Sequence, residues 1–398
     1  MAQQMKRIAT EDMVQEDNEE VIKDIPQMYA KDSLDRFGDD LCEHILSYLT
    51  LDDRFRCECM SKQWQRLVYT TVCHITINEE LTAKMRGKKN LCGENFFDVS
   101  LIATIAKKCP HIESIDCRRL PNNAYEPRVL ETIDDSRDNC LKSLRRIYAN
   151  FSHFDRQNFD HLFHGLGPMV TELDLRGVGS WRSLIPLCPN LHRLTVDYLS
   201  HVFTESADKQ LLAKNLQHFA FKMSANSDVQ IFDEFVAHNQ SLESLVVNNP
   251  PQVVASQDIV TGFLTRLTRL PHLRELVLIF KRKSGAIQYS IGERLHEIGL
   301  MCPKLKRFQI QMRSQTPQLN VDVLNAISVM KRLKRLKLNL EVDPPVVTNW
   351  RAFDSVNDWP KGLTHLSLHL WHNHYNLFRH LETNLQKLQI LHISDKNS

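Results

Sequence analysis

Cys57 and Cys59, in the stretch RFRCECMSKQW, are paired thiols close enough in sequence to suggest a metal or redox site. On a helix, however, a separation of two residues turns the side chains about 200° apart, so the two cannot clasp one ion. Cys59 is then expected in a small apolar slot, on the face shared by Phe55, Met60, Trp64 and Leu67, with Cys57 pointing elsewhere. A second candidate is His369-x-x-His372-x-His374, in LHLWHNHYN. Three imidazoles can bind a metal, but a site also needs fixed geometry and hydrogen-bond partners behind the ligands, and a histidine-rich loop after a strand is the commoner arrangement. No metal or cofactor is assigned. Lys281-Arg282-Lys283, and Lys331-Arg332 with Lys334-Arg335, could grip carboxylates or phosphates through charge-assisted hydrogen bonds. The plainer reading is a solvated face. The run from Lys84 to Lys89 reads as a surface loop, and Trp371 and Tyr375 as partner anchors or core.

Catalytic signatures are missing. The sequence has no Gly-rich phosphate loop, nucleophile elbow, His-Glu-x-x-His or Cys-x-x-Cys. Its 50 Lys and Arg balance 48 Asp and Glu, so no overall field recommends nucleic acid. No apolar run is long enough to span a bilayer, and the N-terminus lacks the apolar core of a signal peptide; a cytoplasmic or nuclear protein without a membrane partner is expected. The ten cysteines lack paired spacings and should be unlinked, mostly buried thiols.

Three regions must position these residues. Residues 1–31, acidic and poor in large apolar side chains, read as a disordered tail. Residues 32–70 read as a small helical module: Leu41, Ile45, Leu46 and Leu49 recur at helical spacing behind Asp39 and Asp40, and a second helix runs from Asp52 past Trp64 to Leu67. From residue 71 to 398 a motif, apolar-x-x-apolar-x-apolar, returns eleven times, as in LHRLTV, LRELVL, LKRLKL and LTHLSL, with VCHITI as a twelfth copy. Successive starts from HIESIDC onward are 21 to 32 residues apart, and helix-patterned stretches such as IGERLHEIGLMCP fill the gaps. A strand and helix of this size cannot bury its own apolar face, but stacked copies can. The expected fold is therefore an α/β solenoid of the leucine-rich-repeat type, a horseshoe with a parallel inner sheet and outer helices, preceded by an all-α module. Its concave strip would present Asp174, Arg176, Asp197, Lys222, Asn248, Gln309, Gln311, Lys337, Asn339 and His369, a mixed surface better suited to a protein than to a small molecule.

Residues 37–67 resemble an F-box, most specifically in Met60-Ser61-Lys62-Gln63-Trp64 through Leu67. Followed by such repeats, the arrangement is similar to the F-box/leucine-rich-repeat substrate receptors of SCF-type ubiquitin ligases. The Cys-Pro pairs at 109–110, 188–189 and 302–303 resemble that family's cysteine-containing repeats. The resemblance implies a non-catalytic subunit whose F-box packs on a Skp-family adaptor and, through it, joins cullin and RING subunits, while the repeats hold a protein substrate. Adaptor contacts would come from Phe37, Leu41, Ile45, Leu46, Leu49, Leu51, Met60 and Trp64. Two positions depart from the family pattern. Phe37-Gly38 replaces Leu-Pro, and Arg54 stands where leucine is usual, its stem able to cover apolar surface while the charge reaches the rim. Read from the residues alone, the same apolar patch could equally cap the first repeat, since a solenoid's end core must be covered. A ubiquitin-independent interaction scaffold and a repeat-type regulator of a small GTPase are the alternatives.

Overall fold

The structure is a computed structural model describing residues 37–78, 81, 100–119, 141–150, 163–176, 181–206, 208–223, 227–248, 257–280, 290–314, 316–342, 359–370 and 385–395. The tail at 1–31, the Lys84–Lys89 and Lys281–Lys283 runs, and Trp371, His372, His374 and Tyr375 lie outside the described residues.

Ser61 interrupts the helix expected over residues 52–67. Its backbone is extended, with φ −164° and ψ 172°, and its Oγ accepts a hydrogen bond from Trp64 N at 3.3 Å. That is an N-cap, and it starts a new helix. The module therefore has three helices: α1 (Asp39–Ser47), α2 (Leu51–Cys57) and α3 (Lys62–Thr71). Thr50 caps α2 in the same way, accepting from Asp53 N. The break reverses the expectation for the cysteines: Cys59, beyond the end of α2, is exposed, whereas Cys57 packs against the module's core. That core is Cys42, Leu46, Trp64, Leu67 and Val68.

The repeats form one twelve-stranded sheet whose strand order is the chain order. The strands are β1 (His74–Asn78), β2 (Ser114–Arg119), β3 (Arg146–Asn150), β4 (Glu172–Arg176), β5 (Arg193–Tyr198), β6 (His218–Lys222), β7 (Ser244–Asn248), β8 (Glu275–Ile279), β9 (Arg307–Ser314), β10 (Arg335–Val342), β11 (His365–Leu370) and β12 (Ile390–Asp395). Every adjacent pair is parallel. The fourth and sixth positions of the motif become two continuous interior rows, one of which includes Ile147, Leu173, Leu194, Phe219, Leu245, Leu276, Phe308 and Leu336 in register. Side chains in these rows are almost wholly buried, at about 1.5–3 kcal/mol each.

Helices α4 (Ser100–Lys108), α5 (Ser227–His238), α6 (Gln257–Leu267), α7 (Gly292–Met301) and α8 (Pro317–Ile327) cover that side of the sheet. The shortest repeat, between β4 and β5, has no room for an α-helix and uses a 3-10 segment, Trp181–Leu187, containing Pro186. The middle of the core is aromatic: Phe219 and Phe235 stack at 4.4 Å, and Phe232 lies 5.0 Å from Phe263. Buried Asn239 ties turn to turn, accepting from Leu216 N and donating to the carbonyls of Ala213 and Phe235. Its side chain thus answers backbone groups that burial would otherwise leave unpaired.

Candidate functional site

Two surfaces can carry function, and both follow from which residues each element turns outward. On the module, α1 is amphipathic with an unusual outer side. Cys42 and Leu46 point into the core, while Leu41 is 45%, Ile45 36% and Tyr48 76% exposed. At i, i+4 and i+7 these three form one stripe. Met60, in the turn before α3, is also exposed. The expected contact residues therefore divide. Leu41, Ile45 and Met60 face solvent; Leu46 and Trp64 are buried inside the module; Phe37 and Leu49 are half-buried against the module's core; and Leu51, with Phe55 and Tyr69, packs on the first repeat. Capping and docking belong to different faces of one unit. Tyr48, absent from the expected set and standing as the cap residue just after α1, is the most exposed of the three. Its i+7 spacing from Leu41 was the available signal.

The two departures from the family pattern have local answers. Gly38 has φ −63° and ψ 158°, angles a proline would adopt, and nothing lies within 4 Å of the position a Cβ would take. The start of α1 is instead fastened through Asp39, which accepts from Gln63 Nε2 at 2.9 Å and from Arg66 Nη2 at 2.7 Å, while Gln63 also donates to the Phe37 carbonyl. The hydrogen bonds from Gln63 and Arg66 hold the Asp39 carboxyl below its usual range. Arg54 donates Nε to the Leu49 carbonyl at 3.2 Å and Nη2 to that of Ser47 at 3.5 Å, closing the C-terminal turn of α1 where a cation suits the helix dipole.

The module is clasped to the solenoid. Lys108, on the last turn of α4, places Nζ 3.0 Å from both Glu58 carboxylate oxygens and 5.3 Å from the Tyr69 ring centroid. Tyr69 donates its hydroxyl to Glu58 at 2.9 Å.

The second surface is the sheet face opposite the helices. Several of its expected contact residues are already engaged with neighbouring strands. Asp174 is almost wholly buried and accepts from Arg118 Nη1 at 2.8 Å; Arg118 also grips Asp116 through Nε at 2.9 Å and Nη2 at 2.7 Å and lies over the Tyr148 ring at 4.9 Å. Burial alone would raise Asp116, but the side-chain and backbone hydrogen bonds of Arg118 overcome it and hold the carboxyl below its usual range. Tyr148 donates to Glu172 at 2.8 Å, and burial followed by that hydrogen bond pushes its hydroxyl up to about 12. Lys222 pairs with Asp197 at 2.6 Å. Arg176 ends β4 in register with Asn150. Asn248, Gln309 and Gln311 are half-buried on this face, Lys337 is exposed, and Asn339 has its Oδ1 buried without a hydrogen-bond partner among the described residues. His369 lies 5.5 Å from the ring of His392. Among the described residues no cluster of His, Cys, Asp or Glu could hold a metal, and no helix is long and apolar enough to cross a membrane.

A third row on this face was not foreseen. His74, Ser114, Arg146, Glu172, Arg193, His218, Ser244, Glu275, Arg307, Arg335 and His365 stand in register at the strand starts. Their signal is the third position of the repeated motif, directly before the first strand leucine.

Residues 34–75 match the F-box domain family. They are an F-box domain. The chain thus joins an F-box to a leucine-rich-repeat solenoid. No curated protein sequence matches it. Among solved structures it is similar to the leucine-rich-repeat-containing protein LegL7 from Legionella pneumophila, at 13% identity and TM-score 0.39, covering 81% of this chain and 91% of that one. It is also similar to the complex of Rad7 and Elc1 in yeast, at 12% identity and TM-score 0.44, covering 90% of each chain. The fold assignment stands on strand order and register rather than on these two likenesses.

Proposed function

We propose that this chain is the substrate-recognition subunit of an SCF-type ubiquitin ligase, working in the cytoplasm or nucleus. The exposed stripe of α1 docks a Skp-family adaptor, which links it to cullin and RING subunits, and the sheet face holds a protein substrate. The observation that carries this is Leu41, Ile45 and Tyr48 standing exposed together on an F-box that is already seated on its solenoid by another face. Apolar surface of that kind on so small a module is stabilised by a partner. The subunit needs no catalytic group of its own. Holding a target lysine near an activated ubiquitin raises their effective concentration, and the transfer chemistry belongs to other subunits.

Co-purification with a Skp-family adaptor tests the reading. The intact chain should retain the adaptor, and L41E with Y48E should lose it at an unchanged melting temperature. Leu46→Ala and Trp64→Ala are unsuitable probes of contact, because each opens a cavity in the module's core at about 2–5 kcal/mol. An intact chain that binds no adaptor overturns the proposal and leaves a ubiquitin-independent scaffold.

A further inference from the structure

Arg307 and Arg335 are direct register partners on β9 and β10. One residue earlier, Lys306 and Lys334 are neighbours too, the Lys306 carbonyl accepting from Lys334 N at 2.8 Å and Arg335 N at 2.9 Å. Like charges therefore face each other across one strand spacing of about 4.8 Å, which opposes folding. Lys337 extends the patch along β10, and Lys331 and Arg332 add to it in the preceding turn; all seven are exposed. The sequence has no carboxylate between Ile298 and Ser314 or between Val323 and Leu340. Glu275 pairs with Arg307 at 3.1 Å, while Lys306, Lys334, Arg335 and Lys337 have no ion pair among the described residues.

The same face is managed differently over β2 to β6. There Arg118 is answered by Asp116 and Asp174, Arg193 by Glu172 and Lys222 by Asp197. Among the described residues the unpaired positive charge of this face thus gathers on β9 and β10, in a chain whose net charge is only +2. We infer that this edge receives a carboxylate-rich segment of a partner protein, which on the receptor reading is the substrate.

The spacing selects that occupant. The cations are spread over two strands and a turn rather than converging on a point, so the matching anion is spread as well. An extended acidic peptide places same-side carboxylates about 6.6–7 Å apart, comparable with the steps along β10. A single phosphate would reach only one or two cations, and the guanidinium of Arg307 is already held by Glu275. Single-stranded nucleic acid needs exposed aromatic rings for stacking, whereas the one aromatic residue of β9 and β10, Phe308, is buried.

Fluorescence anisotropy with the full chain tests the inference, using a labelled Asp/Glu-rich peptide, an otherwise neutral peptide of equal length with one phosphoserine, and an oligothymidylate of charge equal to the acidic peptide. The acidic peptide should bind tightest. Its affinity should fall about tenfold or more in K334E/R335E and weaken as salt rises, since these exposed charges are screened. If that variant fails to fold, K306Q/K334Q is read in its place. Unchanged affinity in the variant, or tighter binding of the phosphopeptide or oligonucleotide, overturns the inference. Adaptor co-purification on the same protein separates the two claims. Peptide binding without an adaptor sinks the receptor reading alone, and adaptor binding without peptide binding sinks this inference alone.

Discussion

Arg118 on β2 reaches over β3 to Asp174 on β4, its Nη1 2.8 Å from Oδ2, with the Tyr148 ring beneath the guanidinium. One side chain therefore fastens three strands. Arg118→Ala should cost about 1.5–3 kcal/mol, because it removes the charge-assisted hydrogen bonds that Arg118 makes to Asp174 and Asp116. Hydrogen exchange should accelerate in β2 to β4 and much less in β9 to β11. The pH dependence follows from Asp116, whose folded pKa lies below its unfolded value. Its contribution is present above the unfolded pKa and is lost as pH falls through the folded one. Acid titration of the wild type should loosen β2 to β4, and the Arg118→Ala variant should show a smaller acid response there.

Gly38→Pro should stabilise the module by about 0.4–1 kcal/mol, because proline matches the φ already present and restricts the unfolded chain. Denaturant-dependent hydrogen exchange in α1 to α3 measures it. A loss of stability would show that the backbone at Phe37 cannot accept a following proline.

Thiol reactivity should separate the cysteines sharply. Burial pushes Cys109, Cys188 and Cys302 up to about 12, whereas Cys59 is exposed. Among the cysteines of the described residues, a maleimide at neutral pH should label Cys59 first and reach those three only on unfolding. Mass spectrometry of partly labelled native protein checks the order. Early labelling of Cys302, whose thiol donates to the Leu267 and Leu270 carbonyls, would contradict the packing of the end of α7 on the end of α6.

The solenoid was legible because its signal repeats: leucines at fixed offsets in successive copies leave one arrangement that buries them all. The module was harder to read. Leu41 and Leu46 are equally apolar, and a helix of nine residues gives too few turns for periodicity to say which side faces inward. Partnering was invisible. Asp174 and Lys222 look like open recognition charges until strand register brings Arg118 and Asp197 against them. The strand-start row has a weaker signal, because its motif position carries His, Ser, Arg and Glu rather than one residue type, although Arg307 and Arg335 occupy the same place in consecutive motifs.

The clasp among Glu58, Tyr69 and Lys108 makes the sheet a ruler with a fixed origin. Whatever holds α1 also sets the direction in which each successive strand points. From β2 to β10 is eight strand steps, roughly 38 Å along the arc at about 4.8 Å per step. A segment gripped at β10 is therefore delivered to a different point in space from one gripped at β2, and the choice of strand determines which residues of a bound protein come within reach of anything assembled beyond α1.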